Sequence, residues 1–398
     1  MVHLLVGCCP PISTWHRQNR GGLARQAHSF STLPPVPGRP YLTIDLATVR
    51  RNVAALRSAL PSAAIRYAVK ANPAEPILRL LAALDCTFDV ASVGEIDLCA
   101  SAGIGGTLMT FGNPLKKPAE VAYAFARGVR RFTFDTAAGL EAIAENAPGS
   151  GVECRIAPAF PSSVTPFGHK FGCAPDDAVG LLTEAGQLGL RADGVAFHVG
   201  SQQLDPQAWE IGIRCARDIF DATPGLATLN LGGGIPLFYD SPVPDVRVVG
   251  DAIAGALGRH FPALPRVVIE PGRAVVGSAG TLFCEVVSVR TGTDGRRWVY
   301  LDIGRYGGLA ETENEYIRYR LRTSRDSDPV ADAVVAGPTC DGDDVLYQRY
   351  PLPVTLRPGD LVEIDAAGAY TTSYSSSFNG FEPLATQFVE VDDAVTTG

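Results

Sequence analysis

From Ile65 onward, eight short apolar runs of strand character alternate with helical stretches, and this alternation constrains the fold more than any other feature. The runs are Ile65–Val69, Phe88–Ala91, Leu108–Phe111, Arg131–Phe134, Glu153–Ile156, Gly194–Val199, Thr228–Leu231 and Val267–Ile269. Between them, Pro76–Leu84, Gly94–Ala102, Glu120–Arg127, Asp177–Leu188 and Asp205–Ala222 are predicted helices. Alternating β and α elements specify a parallel sheet, and eight such units over about 230 residues predict a closed (β/α)8 TIM-like barrel. In such barrels the chemistry gathers at the C-terminal strand ends, and the unusual residues of this chain lie there. The alternative, a doubly wound sheet, would concentrate its ligand groups at a switch point.

The flanks read differently. Tyr41–Ile44 has strand character and no place in the barrel, and Leu46–Leu60 has helical spacing. Past Gly272 the strand-like runs Thr281–Val289, Trp298–Ile303, Ala331–Val335, Leu361–Ile364 and Phe388–Val391 are separated by Gly, Pro and Asp turns. The expected organisation is a barrel over 41–272 and a β-rich domain over 273–398. The strand at 41–45 is expected to pair into the second. Residues 1–40 contain no acidic residue, carry Arg17, Arg20 and Arg25, and leave through Pro34, Pro35 and Pro37. They read as a disordered or leader tail. Proline breaks the amphipathic pattern of a transit helix, which favours a plain tail and a cytoplasmic protein while leaving an organellar transit peptide open.

With 398 residues, 46% hydrophobic and 19% charged, the chain can bury a large core. Its net charge of -8 argues against nucleic acid or an anionic membrane as partner. The nine cysteines form no C-x-x-C pair and read as reduced thiols of an intracellular protein. Past residue 40 only His169, His198 and His260 remain, too scattered to predict a metal site. No apolar run reaches membrane-spanning length.

Lys70 ends the first barrel run, where an inward amine either snorkels to water or is held to react. Gly232-Gly233-Gly234 follows the seventh run and lets backbone N–H groups approach a phosphate, although a plain flexible turn has the same composition. No Lys-Ser or Lys-Thr follows it, so it is not a Walker loop. Phe197-His198-Val199-Gly200-Ser201 puts an imidazole and a hydroxyl on the same rim; a strand histidine is otherwise a hydrogen-bonded core residue. Glu270-Pro271-Gly272-Arg273 ends the eighth run with two charges that could form a local salt bridge or face different places.

Together these motifs resemble the fold-type III pyridoxal-phosphate decarboxylases, in particular the ornithine decarboxylase branch of the ornithine/diaminopimelate/arginine decarboxylases. The resemblance spans about residues 41 to 390 and implies an alanine-racemase-like barrel, a β domain and a homodimer with shared active sites. It implies that Lys70 holds pyridoxal 5'-phosphate covalently, that His198 stacks on the ring and that Glu270 pairs with the ring nitrogen. Ser201, Gly233, Gly234, Arg273 and Tyr370 would hold the phosphate, with Asp89, Glu95 and Arg155 in support. A carboxylate at Glu270 favours a protonated ring nitrogen and so a strong electron sink. The related alanine racemases place an arginine there, so glutamate favours decarboxylation.

The resemblance also gives roles to the run Gly337-Pro338-Thr339-Cys340-Asp341-Gly342-Asp343-Asp344. Cys340 would reprotonate the α-carbon in the partner's site, Asp341 would bind the substrate's distal amine, and Phe378 would line that site. Glu315, counted from Tyr306, falls where ornithine decarboxylases carry an aspartate against the same amine. Lys170 and Asp344 match positions that pair across the dimer interface. The implied activity is decarboxylation of a basic L-amino acid: L-ornithine to putrescine and carbon dioxide, with L-lysine a second candidate. Arg318 and Arg320 keep meso-diaminopimelate open as an alternative. A non-catalytic regulator like the antizyme inhibitors is the alternative from another class, disfavoured by intact Lys70, Arg273, Tyr370 and Cys340.

Overall fold

The computed structural model describes residues 38–161, 163–165 and 170–391. The tail read at 1–40 falls outside the described residues apart from its last three, and His169 falls outside as well. Strand β1 (Tyr41–Asp45) precedes eight parallel strands: β2 (Ala63–Ala68), β3 (Thr87–Val90), β4 (Met109–Phe111), β5 (Arg131–Phe134), β6 (Gly151–Arg155), β7 (Arg191–Ala196), β8 (Thr228–Asn230) and β9 (Arg266–Ile269). These close into a barrel in chain order, β9 returning to β2 with Ala63 opposite Val267 and Ile65 opposite Ile269.

Local chemistry accounts for the helices between them. Asp45 ends β1 and caps the helix Leu46–Ala59, accepting from the N–H groups of Ala47 and Thr48. Ser92 and Thr136 cap Val93–Ser101 and Ala137–Asn146 in the same way. Proline in the first turn opens Glu75–Ala83, Pro118–Ala126 and Pro175–Gln187. Tyr67, Phe88, Phe111, Phe132 and Phe134 are fully buried in the core.

Two rim residues sit past their strands rather than within them. β2 stops at Ala68, so Lys70 lies in the single turn Val69–Ala71. β7 stops at Ala196, so His198 stands on the following loop.

The second sheet contains β10 (Gly280–Thr291), β11 (Arg297–Leu301), β12 (Leu321–Thr323), β13 (Val330–Ala336), β14 (Val345–Pro353), β15 (Leu361–Asp365) and β16 (Ala385–Val389). Its order is β12-β15-β10-β11-β13-β14, and β1 joins it between β10 and β16. β14 was not predicted. It carries Pro351 and Pro353, which a central strand would exclude, and it sits at the sheet edge where a missing donor is tolerated.

Close packing between β7 and β8 gives a test. A Cβ at Gly194 would lie 1.9 Å from the Thr228 carbonyl oxygen, which is backbone and cannot swing away. Gly194→Ala should cost about 1–3 kcal/mol of stability, read as a lower denaturant midpoint. Gly180→Ala, where nothing lies within 4 Å, should leave the midpoint unchanged or raise it. Equal midpoints for the two variants would show that the strands can separate.

Candidate active site

The barrel mouth gathers residues from all eight barrel strands or the turns that follow them, Thr133 of β5 included. Lys70 projects into a hollow lined by Asp89, Gly112, Asn113, Arg155, Lys170, His198, Asn230 and Glu270. A contiguous hollow bounded by the same Lys70, His198 and Glu270 continues to Ser201, Gly233, Gly234, Arg273 and Tyr370. The second sheet is latched to this rim. The Tyr370 N–H donates to the Ala71 carbonyl at 2.6 Å, and the Ser373 hydroxyl donates to the Lys70 carbonyl at 2.8 Å. Tyr370 adopts φ +63° to make that contact.

The electrostatics follow from partners. Burial works to discharge the Lys70 amine, but Asp89, 3.8 Å from Nζ, with Tyr370 and Glu270, outweighs it and holds the amine above its ordinary value. Burial raises Asp89 despite Lys70 and Arg66, and burial likewise raises Glu95, which accepts from the Ala91 N–H at 2.7 Å. His198 is held neutral, far below its usual value, by burial and by the charges of Arg155 and Lys70. Its Nδ1 accepts the Gly200 N–H at 3.0 Å, so Nε2 carries the proton. Glu270 is pushed up to about 7 by burial and Asp89, against the pull of Arg66.

Beneath Glu270 lies a polar group that the sequence reading did not pick out. Arg66, Glu153 and Asn230 are each almost wholly buried inside the barrel. Arg66 makes a bidentate pair with Glu153 at 2.7 and 2.9 Å and reaches Glu270 at 3.1 Å. Asn230 donates to both carboxylates, at 3.1 and 2.7 Å. The available signal was a charge in the interior of each of two apolar strands, since a buried charge requires a partner.

The Arg273 guanidinium is buried at the other end of the hollow. Glu311 holds it bidentately at 2.5 and 2.9 Å, the Tyr239 hydroxyl takes a third bond at 2.5 Å, and Ser201 lies at 3.4 Å. Arg273 Nε is buried without a partner among the described residues. Burial works against the Arg273 charge, but Tyr239 and Glu311 keep it firmly protonated.

Two expected positions need correction. Glu315 does not face the hollow. Asn314 and Glu315 take φ of +52° and +54°, and the Glu315 carboxylate binds Arg318 at 2.8 Å and the Gln348 N–H at 2.9 Å. Glu311, four residues earlier, is the carboxylate this segment sends to the site. Asp344 is 2% exposed and spent on its own loop, accepting from the Arg305 N–H at 2.7 Å and from the Thr339 N–H and hydroxyl. Gly304 and Gly337 close over it, so it has no free face for an interface ion pair. Lys170 stays on the hollow, its amine 5.0 Å from the Phe171 ring centroid.

Cys340, Asp341 and Phe378 form a separate group that lines neither part of the Lys70 hollow. Cys340 is exposed, and its N–H donates to Asn379 at 3.1 Å. Asp341 accepts the Tyr306 hydroxyl at 2.8 Å, and the Tyr306 and Phe378 rings are 4.6 Å apart. The Asp343 N–H and the Tyr306 hydroxyl hold Asp341 below the usual carboxylate range.

Residues 46–277 match the family model described as pyridoxal-dependent decarboxylase, pyridoxal binding domain. The chain belongs to the pyridoxal-dependent decarboxylase family. It is 36% identical to a lysine/ornithine decarboxylase of Selenomonas ruminantium, covering 86% of this chain and 87% of that protein. It is 33% identical to an ornithine decarboxylase of Schizosaccharomyces pombe, over 90% of this chain and 85% of that one. A solved lysine/ornithine decarboxylase from Vibrio vulnificus, complexed with cadaverine, superposes with TM-score 0.82 at 32% identity, covering 89% and 95% of the two chains.

The chain is a carboxy-lyase that uses pyridoxal phosphate, and the site fits that cofactor. The buried Arg273 Nε, without a partner among the described residues, and the N–H groups of the glycine loop are donors that a phosphate could take. A Cβ on Gly233 would come within 2.8 Å of the Glu270 carbonyl and 3.1 Å of His198 Nε2, so only glycine leaves that space open.

Glu311→Ala strips the partly buried pair from Arg273 and should lower stability by about 3 kcal/mol, because an uncompensated buried charge remains. Denaturant unfolding measures this. A loss below about 1 kcal/mol would place the pair with weak surface bridges.

Proposed function

We propose that the chain decarboxylates L-ornithine to putrescine and carbon dioxide, accepts L-lysine as a second substrate, and works as a homodimer with shared sites. The observation that carries the substrate reading is the balance of charge around the distal end. Asp341 is held ionised, ready to receive an ammonium. Arg318 is spent on Glu315 and Asp240, and Arg320 on Asp365, which leaves neither guanidinium to receive a second carboxylate. That weighs against meso-diaminopimelate. With Glu315 turned away, nothing from that side chain shortens the space for the longer lysine. The Selenomonas relative, a lysine/ornithine decarboxylase, supports the same pair of substrates.

In this reading each residue has a physical task. Lys70 would hold the cofactor covalently through its amine. When bound, pyridoxal phosphate supplies the sink for the electron pair left at the α-carbon as carbon dioxide departs. Glu270 keeps the ring nitrogen protonated, because an adjacent negative charge favours the cation. Neutral His198 packs on the ring face without adding a competing charge. Gly233, Gly234, Ser201, Arg273 and Tyr370 hold the phosphate, and Arg155 and Asp89 set the field around the Lys70 amine. Cys340 of the second chain returns a proton to the α-carbon, with Asp341 beside it on the distal amine. The separation of Cys340, Asp341 and Phe378 from Lys70 within one chain supports a site completed by a second copy.

Carbon dioxide release from L-ornithine, L-lysine, L-arginine and meso-diaminopimelate, measured in parallel, tests the substrate reading. Ornithine should lead, lysine should follow, and the other two should be poor. Preference for meso-diaminopimelate would overturn it, and no release together with no absorbance band of a protonated Schiff base would favour the non-catalytic regulator.

Shared sites have their own test. Lys70→Ala and Cys340→Ala should each be severely impaired, and mixing them at equal amounts should restore about a quarter of intact sites by two-fold symmetry. Activity that stays at the level of the separate variants, despite subunit exchange, would mean each site is built from one chain.

A further inference from the structure

Glu270 receives two side-chain hydrogen bonds, from Arg66 and Asn230, and both fall on Oε1. Oε2 is thereby left for the hollow that Glu270 lines. Arg66 cannot rotate away, because its other contacts lock both terminal nitrogens onto Glu153, and Asn230 ties the two carboxylates together. We propose that Arg66, braced by Glu153, is a positioning residue that clamps Glu270 Oε1 so that Oε2 meets the ring nitrogen. The proposal rests on Glu270 being the ring-nitrogen partner and deepens that assignment.

The clamp answers a conflict built into the site. Glu270 is enclosed by the barrel and faces Asp89 from β3 and Glu153 from β6, all of which favour its neutral form. A neutral carboxyl cannot hold a protonated ring. Positive charge reaches the same region from Lys70 after β2 and Arg155 on β6, while His198 after β7 is neutral. Among the described residues, Arg66 is the cation in direct contact with the carboxylate. Its charge alone would make Glu270 too weak an acceptor of the ring proton. The bidentate Glu153 absorbs part of that charge, so the pair sets how firmly Glu270 holds its own proton.

The sign of the effect is fixed. Glu270 must be ionised and the ring protonated, so affinity due to the ring nitrogen is full between the free-site pKa and the ring nitrogen's own pKa, and falls as pH drops through the former. Removing Arg66 raises that pKa. Neutralising Glu153 lowers it, because a repelling charge goes and Arg66 acts on Glu270 undivided. Opposite shifts from the two halves of one ion pair are not what a merely structural pair would give.

The test uses the full-length protein freed of cofactor, titrated from pH 5.5 to 9 with two probes. One is pyridoxamine 5'-phosphate, which does not react with Lys70. The other is its analogue with a ring CH in place of nitrogen. The ratio of their affinities isolates the ring nitrogen, because titration of the phosphate is common to both. In the wild type the ratio should fall below about pH 7, the position of Glu270, towards a limit of about tenfold per unit; the upper limb is set by the free probe's own ring nitrogen and is common to every variant.

Arg66→Met should move the break up by a pH unit or more, Glu153→Gln should move it down, and Arg66→Lys should lie between Met and the wild type. A break that stays put in both Arg66→Met and Glu153→Gln would overturn the proposal. Glu153→Gln preserves the shape of the pair and decides alone where Arg66→Met fails to fold. A wild type that binds neither probe would instead overturn the cofactor site itself. Equal affinity for both probes at every pH would remove Glu270 from the ring nitrogen, and the proposal with it.

Discussion

Barrel closure is the constraint on which the site depends. β2 and β9 pair in parallel, and the Ala68 N–H reaches the Pro271 carbonyl at 3.3 Å just beyond the paired residues. That contact brings the Lys70 turn beside the Glu270-Pro271-Gly272-Arg273 turn, though the two lie at opposite ends of the barrel sequence. On the proposed reading, the covalent anchor and the counter-ion of the ring nitrogen are brought together by this one seam. The glycine loop after β8 completes the rim because β8 pairs with β9, and the Glu270 N–H donates to the Gly232 carbonyl at 2.7 Å.

Closure also creates a cost. A barrel interior is normally filled by layers of branched apolar side chains, yet here Arg66, Glu153 and Asn230 occupy interior positions on β2, β6 and β8. An ion pair there gives up hydration that its Coulomb attraction recovers only with near-ideal geometry and complete hydrogen bonding. The bidentate contact and the bridging Asn230 meet that demand. A purely apolar layer would pack as well, so the expense makes sense only if the layer does something for the carboxylate above it.

The sequence made much of this legible, for a reason that also sets its limit. Residues at strand ends stand out because a charge or a glycine cluster interrupts an apolar run, and the rim position follows from the barrel; Lys70, His198, Gly233, Gly234, Glu270 and Arg273 were readable in that way. Arg66 and Glu153 were not, because each looks like a stray charge in a strand, and their pairing is visible only after β2 and β6 face each other across the barrel. Glu315 was misplaced because counting along a loop assumes even spacing. Left-handed residues at Asn314 and Glu315 turned that carboxylate away and left Glu311 facing Arg273. Asp344 took an interface role from the resemblance alone, and nothing in the sequence shows that two glycines allow its loop to fold around it.

The same reasoning explains how the two ends of the hollow stay distinct. At the phosphate end, Arg273 carries a compensating carboxylate from the segment after β11, a phenol from Tyr239 and the ring of Tyr370 at 4.8 Å. On the proposed reading, a bound phosphate would meet a guanidinium whose charge is already partly offset, so the backbone N–H groups of the glycine loop would carry a larger share of its recognition. At the ring end, Glu270 is offset by Arg66, itself offset by Glu153. Both ends thus use a charge chain that terminates within the protein, which lets a highly polar cofactor site sit in a barrel mouth without leaving an uncompensated ion when the cofactor departs. The latch from Tyr370 to Ala71 and from Ser373 to Lys70 then binds the phosphate end to the anchoring turn, so that movement of the second sheet against the barrel would disturb both at once.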